Sequence, residues 1–280
     1  MYLVTGATGN VGSEVVAQLL ALGKKVRVFT RDAGKVTQWA GRVEVTTGDF
    51  GRPESFEHAV VGIEAIFLMH QSPDQEAFRQ LIRAAKTAGN PRIVFLSTLV
   101  ADEPQLEIGQ FHKQKENAIR ESGLAGKFVR PGGFMSNSYQ WIRSIKTEGA
   151  VYNALGDARF PAIAPEDIAD VAVRALTDPT LQEDVFELTG GEPLNVPEQV
   201  EILAKVLAKP IRCVDVPVET AVQGLIRGGV PARMAAAVGQ SYEAVRKGRN
   251  IAVTDTVEKL TGHRPMGFET WARKHASRFA

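Results

Sequence analysis

The chain has 280 residues, 44% hydrophobic and 23% charged, which suits one large globular domain or two modest ones and excludes disorder, collagen and coiled coil. Its 33 basic and 32 acidic residues leave a formal charge of +1, too weak a field to attract nucleic acid or an anionic membrane; a small molecule is the expected partner, and a monomer or homodimer the expected state. One cysteine, Cys213, excludes an internal disulfide, no apolar run is long enough to span a bilayer, and no secretory pattern opens the chain, so the expected location is the cytoplasm.

Taken in order, the first half alternates apolar, β-branched runs with amphipathic stretches. The runs are Tyr2–Thr5, Lys25–Thr30, Val43–Thr46, Ala65–Met69, Arg92–Ser97 and Lys127–Arg130. Helical patterns separate them, among them Val11–Leu22, Gln75–Ala88 and Gln110–Ser122. Continuous apolarity marks strands buried on both faces, and strand-helix-strand order with right-handed crossovers predicts an α/β, Rossmann-type doubly wound parallel sheet. Pro131-Gly132-Gly133 then breaks the rhythm. Beyond it lie mostly helical segments with short strands near Val151–Asn153, Asp184–Leu188 and Ile211–Val214, and helix starts at Pro165-Glu166-Asp167, Pro197-Glu198 and Thr254-Asp255. The expected division is residues 1–132 for the sheet and 133–280 for a smaller C-terminal lobe, interleaved so that 161–189 returns to the sheet.

The segment Gly6-Ala7-Thr8-Gly9-Asn10-Val11-Gly12 follows the first strand and opens a helix. Glycine permits the tight turn, lets main-chain N–H groups approach a pyrophosphate, and lets helix and strand pack; the helix's positive end then faces the phosphates. In this strand-loop-helix context the loop predicts dinucleotide binding. The second strand ends Thr30-Arg31 rather than in the acidic residue that accepts from a ribose 2′-OH. Arg31, with Lys35 a weaker second cation, either pairs with a 2′-phosphate, which would make the cofactor NADPH rather than NADH, or is a solvated arginine.

These residues resemble the NmrA-like atypical short-chain dehydrogenases/reductases. The resemblance rests on the glycine loop, Thr30-Arg31, Gly48-Asp49-Phe50, Arg130-Pro131-Gly132-Gly133-Phe134-Met135-Ser136-Asn137, Pro165 to Ala172, Glu187 to Gly191 and Phe268-Glu269-x-Trp271, and runs essentially the whole length. It implies one of two functions. One is an NADPH-dependent oxidoreductase acting on a quinone, dye or similarly activated small molecule; the other is a non-catalytic NADP(H)-binding redox sensor that regulates a partner protein. It also implies that Thr8, Gly9, Asn10 and Val11 hold the pyrophosphate and Arg31 the 2′-phosphate. Asp49 and Phe50 would meet the adenine, Met69, His70 and Gln71 the region between ribose and nicotinamide, and Pro131, Gly132, Gly133 and Phe134 the nicotinamide edge. Asp49 as a turn cap, Phe50 as core and Met69 as apolar filling stand as alternatives.

The Tyr-x-x-x-Lys pair of the main short-chain branch is missing. Phe111-His112-Lys113-Gln114-Lys115-Glu116 stands in its place, with His112 and Glu116 at the family positions, or Phe111 and Lys115 after a one-residue shift. Either register lacks the phenol. His112 is a candidate proton donor, oriented by Glu116 at i+4, against a solvated His–Glu pair. Tyr139 is a second candidate, against a packing role, and Ser97 and Thr98 end the fifth strand as either orienting hydroxyls or ordinary strand-end partners. Without a strong acid, an acceptor that delocalises the incoming electron pair is expected, in a cleft that Phe134, Met135, Tyr139 and Trp141 would wall. His58, His70, His112, His263 and His275 show no metal-ligand spacing, and no Gly-x-Ser-x-Gly or Gly-Lys-Ser/Thr motif occurs.

Overall fold

A computed structural model describes residues 1–249 and 251–279. The chain forms two compact units of three segments each: Met1–Ala101, Phe111–Pro131 and Pro165–Glu187 in the first; Asp102–Gln110, Gly132–Ala164 and Leu188–Ala280 in the second. The segment returning to the first unit is thus shorter than the expected 161–189. Residues 102–110 also fall in the second unit, for a reason that local sequence does not reveal: Glu107 pairs with Arg233, and its N–H donates to Gln240 Oε1 at 3.1 Å.

The strands are β1 (Tyr2–Thr5), β2 (Val26–Thr30), β3 (Glu44–Thr47), β4 (Ala65–Leu68), β5 (Arg92–Leu96), β6 (Gly126–Pro131), β7 (Ala150–Asn153), β8 (Val185–Leu188) and β9 (Arg212–Asp215). The helices are α1 (Asn10–Ala21), α2 (Glu54–Ala59), α3 (Gln75–Thr87), α4 (Glu107–Ser122), α5 (Ile142–Glu148), α6 (Pro165–Thr177), α7 (Val196–Leu207), α8 (Val218–Arg227), α9 (Ala232–Arg246), α10 (Thr256–Thr261), α11 (Phe268–Lys274) and α12 (Ala276–Phe279).

The first unit carries the sheet, in the order β3-β2-β1-β4-β5-β6-β8. Tyr2 faces Val26 on one side and Ala65 on the other, and Ile93 faces Gly126, all in parallel register. Phe128 N–H donates to Asp184 O and Gly132 N–H to Leu188 O, the same offset at both points, so β8 is parallel too. Every residue of β1 and β4 is buried, as their unbroken apolarity requires. The two edge strands differ: Glu44, Val45 and Thr47 of β3 and Glu187 of β8 are exposed, because only one flank of each is paired. Phe56, Phe78, Leu81, Ile82 and Ile119 from α2, α3 and α4 pack with Phe29, Ile66, Phe95 and Phe128 into one core. Helices α1 and α6 pack on each other and on β1, β4, β5 and β6.

The second unit has a two-stranded parallel sheet, β7 with β9, and a core in which Met135, Trp141, Val200, Leu203, Phe268, Trp271 and Phe279 meet. Helix α7 begins with a reciprocal cap: Asn195 Oδ1 accepts from Glu198 N–H and Glu198 Oε2 from Asn195 N–H.

Candidate active site

The glycine loop forms a main-chain cradle at the end of β1. Gly6 has φ +64°, a left-handed conformation that glycine adopts without strain, and its carbonyl accepts from Gly9 N–H at 2.9 Å. A Cβ on Gly12 would lie 2.2 Å from that carbonyl oxygen, so helix and turn approach only because Gly12 has no side chain. Below the turn Met69 fills the space where a Gly6 side chain would go. Helix α1 starts at Gly9 with no side-chain cap and no acidic residue in its first turn, leaving its leading N–H groups for an external anion. Thr8 and Asn10 are exposed on this turn, while the Val11 side chain is buried, so only the main chain of Val11 is available to a ligand. A glycine-rich cradle at an uncapped helix end fits a diphosphate.

Arg31, one residue past β2, is exposed and makes no ion pair with a described residue, as does Lys35. The neighbouring carboxylate, Asp32, is exposed and accepts from Gly34 N–H at 2.9 Å. Asp49 likewise accepts from Gly51 N–H at 2.8 Å, and the half-buried Phe50 ring lies 5.2 Å from Phe29 and 5.1 Å from His70. Thr5 ties β1 to β4, its hydroxyl accepting from Met69 N–H.

Beyond β4 two polar side chains, His70 and Lys115, are buried. His70 is 2% exposed, its ring tilted against Phe50 and Phe78 at 5.1 and 5.2 Å; burial first, then the Lys115 charge, bring its pKa down to about 4. Its carbonyl accepts from Lys115 Nζ at 2.7 Å. Lys115 is 1% exposed, and burial lowers its pKa to about 8. Gln71 is exposed. Of the two registers the sequence left open, the buried stripe of α4 carries the shifted one: Phe111, Lys115 and Ile119 recur every fourth residue along it.

His112 is half-buried, its ring 6.1 Å from Phe95. The expected orientation of His112 by Glu116 is not what the helix builds. Glu116 is fully buried, and its carboxylate accepts from Arg130 Nε at 2.8 Å, Arg130 Nη2 at 2.6 Å, Ser97 Oγ at 2.6 Å and Arg120 Nη1 at 3.3 Å. A guanidinium only 3% exposed needs that carboxylate, and the Ser97 hydroxyl is spent on the same network. In the second unit, Gly133 O accepts from Ile163 N–H and Phe134 bridges to Ile163. The Tyr139 ring lies tilted 5.3 Å from Trp271 and 5.6 Å from Phe279, with the Arg278 guanidinium 4.7 Å over it.

A glycine cradle after the first strand, with the sheet order reversing between β1 and β4, defines a dinucleotide-binding Rossmann protein. The NAD(P)H-binding family's profile matches residues 6–179, and the chain belongs to that family, within its NmrA-like atypical short-chain dehydrogenase/reductase branch. It is 36% identical to a (4-alkanoyl-5-oxo-2,5-dihydrofuran-3-yl)methyl phosphate reductase of Streptomyces griseus and 34% identical to an NAD(P)H azoreductase of Xenophilus azovorans. Both alignments cover 100% of this chain and 99% of the relative. Among solved structures, the NADPH complex of an Escherichia coli quinone oxidoreductase superposes with TM-score 0.85 at 24% identity, covering 99% of this chain and 100% of that one. The NADP(H) complex of a Citrobacter sp. triphenylmethane reductase gives 0.82 at 25% identity, covering 98% and 99%.

Proposed function

We propose that this protein is an NADPH-dependent reductase that passes hydride to a small, electron-poor conjugated acceptor such as a quinone or a dye. One observation carries the choice of acceptor. Lys115 reaches the end of β4, and four residues before it stands Phe111 where a proton-donating phenol would be needed. An unactivated ketone becomes an alkoxide that must be protonated as it forms, whereas a conjugated acceptor spreads the incoming charge. The relatives support this: one is named for an azo group, and the other for a ring alkene conjugated with two carbonyls.

When bound, the reduced nicotinamide supplies the hydride. The main-chain N–H groups of residues 8–11 hold the diphosphate, and Arg31 holds the 2′-phosphate. Lys115 fixes the loop after β4 through the His70 carbonyl, and His112 donates a proton from its imidazole to the reduced acceptor's oxygen or nitrogen. NADPH consumption with a panel of quinones, azo compounds, dyes and simple carbonyls tests the assignment. Turnover confined to the conjugated acceptors is expected, and tight NADPH binding without consumption above background by any of them refutes it.

Two substitutions test the roles. Arg31→Asp weakens NADPH about 10²-fold, through a lost charge-assisted pair and a new repulsion, and leaves NADH nearly unchanged. Equal losses for both nucleotides in a binding titration would remove Arg31 from phosphate recognition. His112→Gln lowers kcat only severalfold, because a conjugated acceptor needs little protonation as the hydride arrives, and leaves NADPH binding unchanged. An unchanged rate and pH profile would return His112 to a packing role.

A further inference from the structure

We propose that Lys115 makes the nicotinamide half of this site distinguish the two redox forms of the nucleotide, admitting the neutral reduced ring and repelling the cationic oxidised one. The proposal rests on the NADPH-binding reading above.

In a doubly wound sheet the dinucleotide lies across the carboxyl ends of the strands, its two halves on either side of the point where strand order reverses. Here Arg31 follows β2 on one side of that point. On the other side lie the ends of β4 and β5, where His70 and Ser97 stand. The hydrogen bond from Nζ to His70 O therefore fixes an ammonium at the carboxyl end of β4, in the half left for the nicotinamide. With its pKa at about 8, that group is charged at neutral pH.

Among the described residues no carboxylate pairs with it. Glu116, the next residue of α4, is consumed by Arg130, Arg120 and the Ser97 hydroxyl. Asp74, before α3, is exposed and caps that helix by accepting from Ala77 N–H at 3.0 Å. From α3 itself the Phe78 ring faces Nζ, 5.8 Å from its centroid. After β4 the His70 imidazole is neutral, and His112 of α4 and Arg130 of β6 bring no negative charge. An uncompensated buried cation disfavours a second positive charge nearby by on the order of tenfold in affinity, while a neutral ring is unaffected. The oxidised product then leaves more readily than the reduced substrate, which favours turnover towards reduction.

Calorimetric titration of the nucleotide-stripped full chain with NADPH and with NADP+, from about pH 7 to about pH 9.5, tests this. We expect NADP+ to bind about tenfold more weakly at neutral pH, with the gap closing as pH rises through the Lys115 value of about 8. Lys115→Met, which also gives up the bond to His70 O, lowers affinity for both forms but closes the gap between them at every pH. Lys115→Arg keeps the gap and removes its pH dependence, because a guanidinium does not titrate there. A gap in the unaltered protein that ignores pH, or one that survives Lys115→Met, overturns the proposal and leaves NADPH binding standing. Absence of heat with either nucleotide overturns both. The pH series on the unaltered protein decides even if the methionine variant does not fold.

Discussion

Gly12→Ala weakens NADPH binding by at least about 10²-fold, although it adds a single methyl group. The new Cβ would sit 2.2 Å from Gly6 O and 2.6 Å from Gly6 C, and both are main-chain atoms that no rotamer change can move aside. To admit it, α1 must back away from β1 or the Gly6 carbonyl must swing out of its bond with Gly9 N–H. Either movement displaces the row of N–H groups on which the diphosphate depends. Overpacking of this kind costs about 1–3 kcal/mol of stability, which the rest of the sheet tolerates. Affinity falls further, by at least about 10²-fold, because a displacement near 1 Å defeats an oriented site. Gly9→Ala is the internal comparison: its Cβ would meet the same oxygen at 3.2 Å, a contact that small adjustments relieve, and the loss is milder. Calorimetry for binding, with circular dichroism for folding, separates the two effects. Equal, small losses in both variants would mean that the turn is not the phosphate cradle.

Arg130→Met destabilises the protein by about 3–5 kcal/mol, the usual cost of stranding one partner of a buried ion pair. The melting temperature drops on the order of 10 °C. The substitution leaves Glu116 with only the Ser97 hydroxyl and the longer Arg120 contact in a site closed to water. Adding Glu116→Leu recovers much of the loss, since the apolar pair strands no charge; failure to recover would place the role of Arg130 elsewhere. Acid should act on the same network. Burial alone would raise the Glu116 pKa, but hydrogen bonds from Arg130 and Ser97 and the charges of Arg130 and Arg120 outweigh it, holding the carboxyl below its usual value of 4.5. A depressed carboxyl pKa contributes stability above the unfolded value that is lost as pH falls through the folded one, so this contribution is full at neutral pH and fades below about 4.5.

Much of this architecture is legible in the sequence, because a buried parallel strand needs unbroken apolarity and a pyrophosphate turn needs glycine at fixed intervals. The runs at Tyr2–Thr5 and Ala65–Met69 became β1 and β4 to within a residue. The family pattern located α4 but not the direction of its polar side chains. His112, Lys115 and Glu116 look interchangeable as letters, yet one is half-buried, one is fixed to a carbonyl and one is locked to an arginine fourteen positions later. Such pairings depend on which strands become neighbours, and local periodicity does not encode that. The Tyr139 ring among Trp271, Phe279 and Arg278 is likewise set by contacts across more than a hundred residues.

The alternation of three segments per unit has a practical consequence. A truncation at the glycine-proline break removes β8 and α6 from the nucleotide-binding half, and a clip at any single peptide bond separates pieces rather than modules. Limited proteolysis should therefore yield nicked but associated fragments, and recombining this protein with a relative requires swapping all three segments of a unit instead of one terminal block.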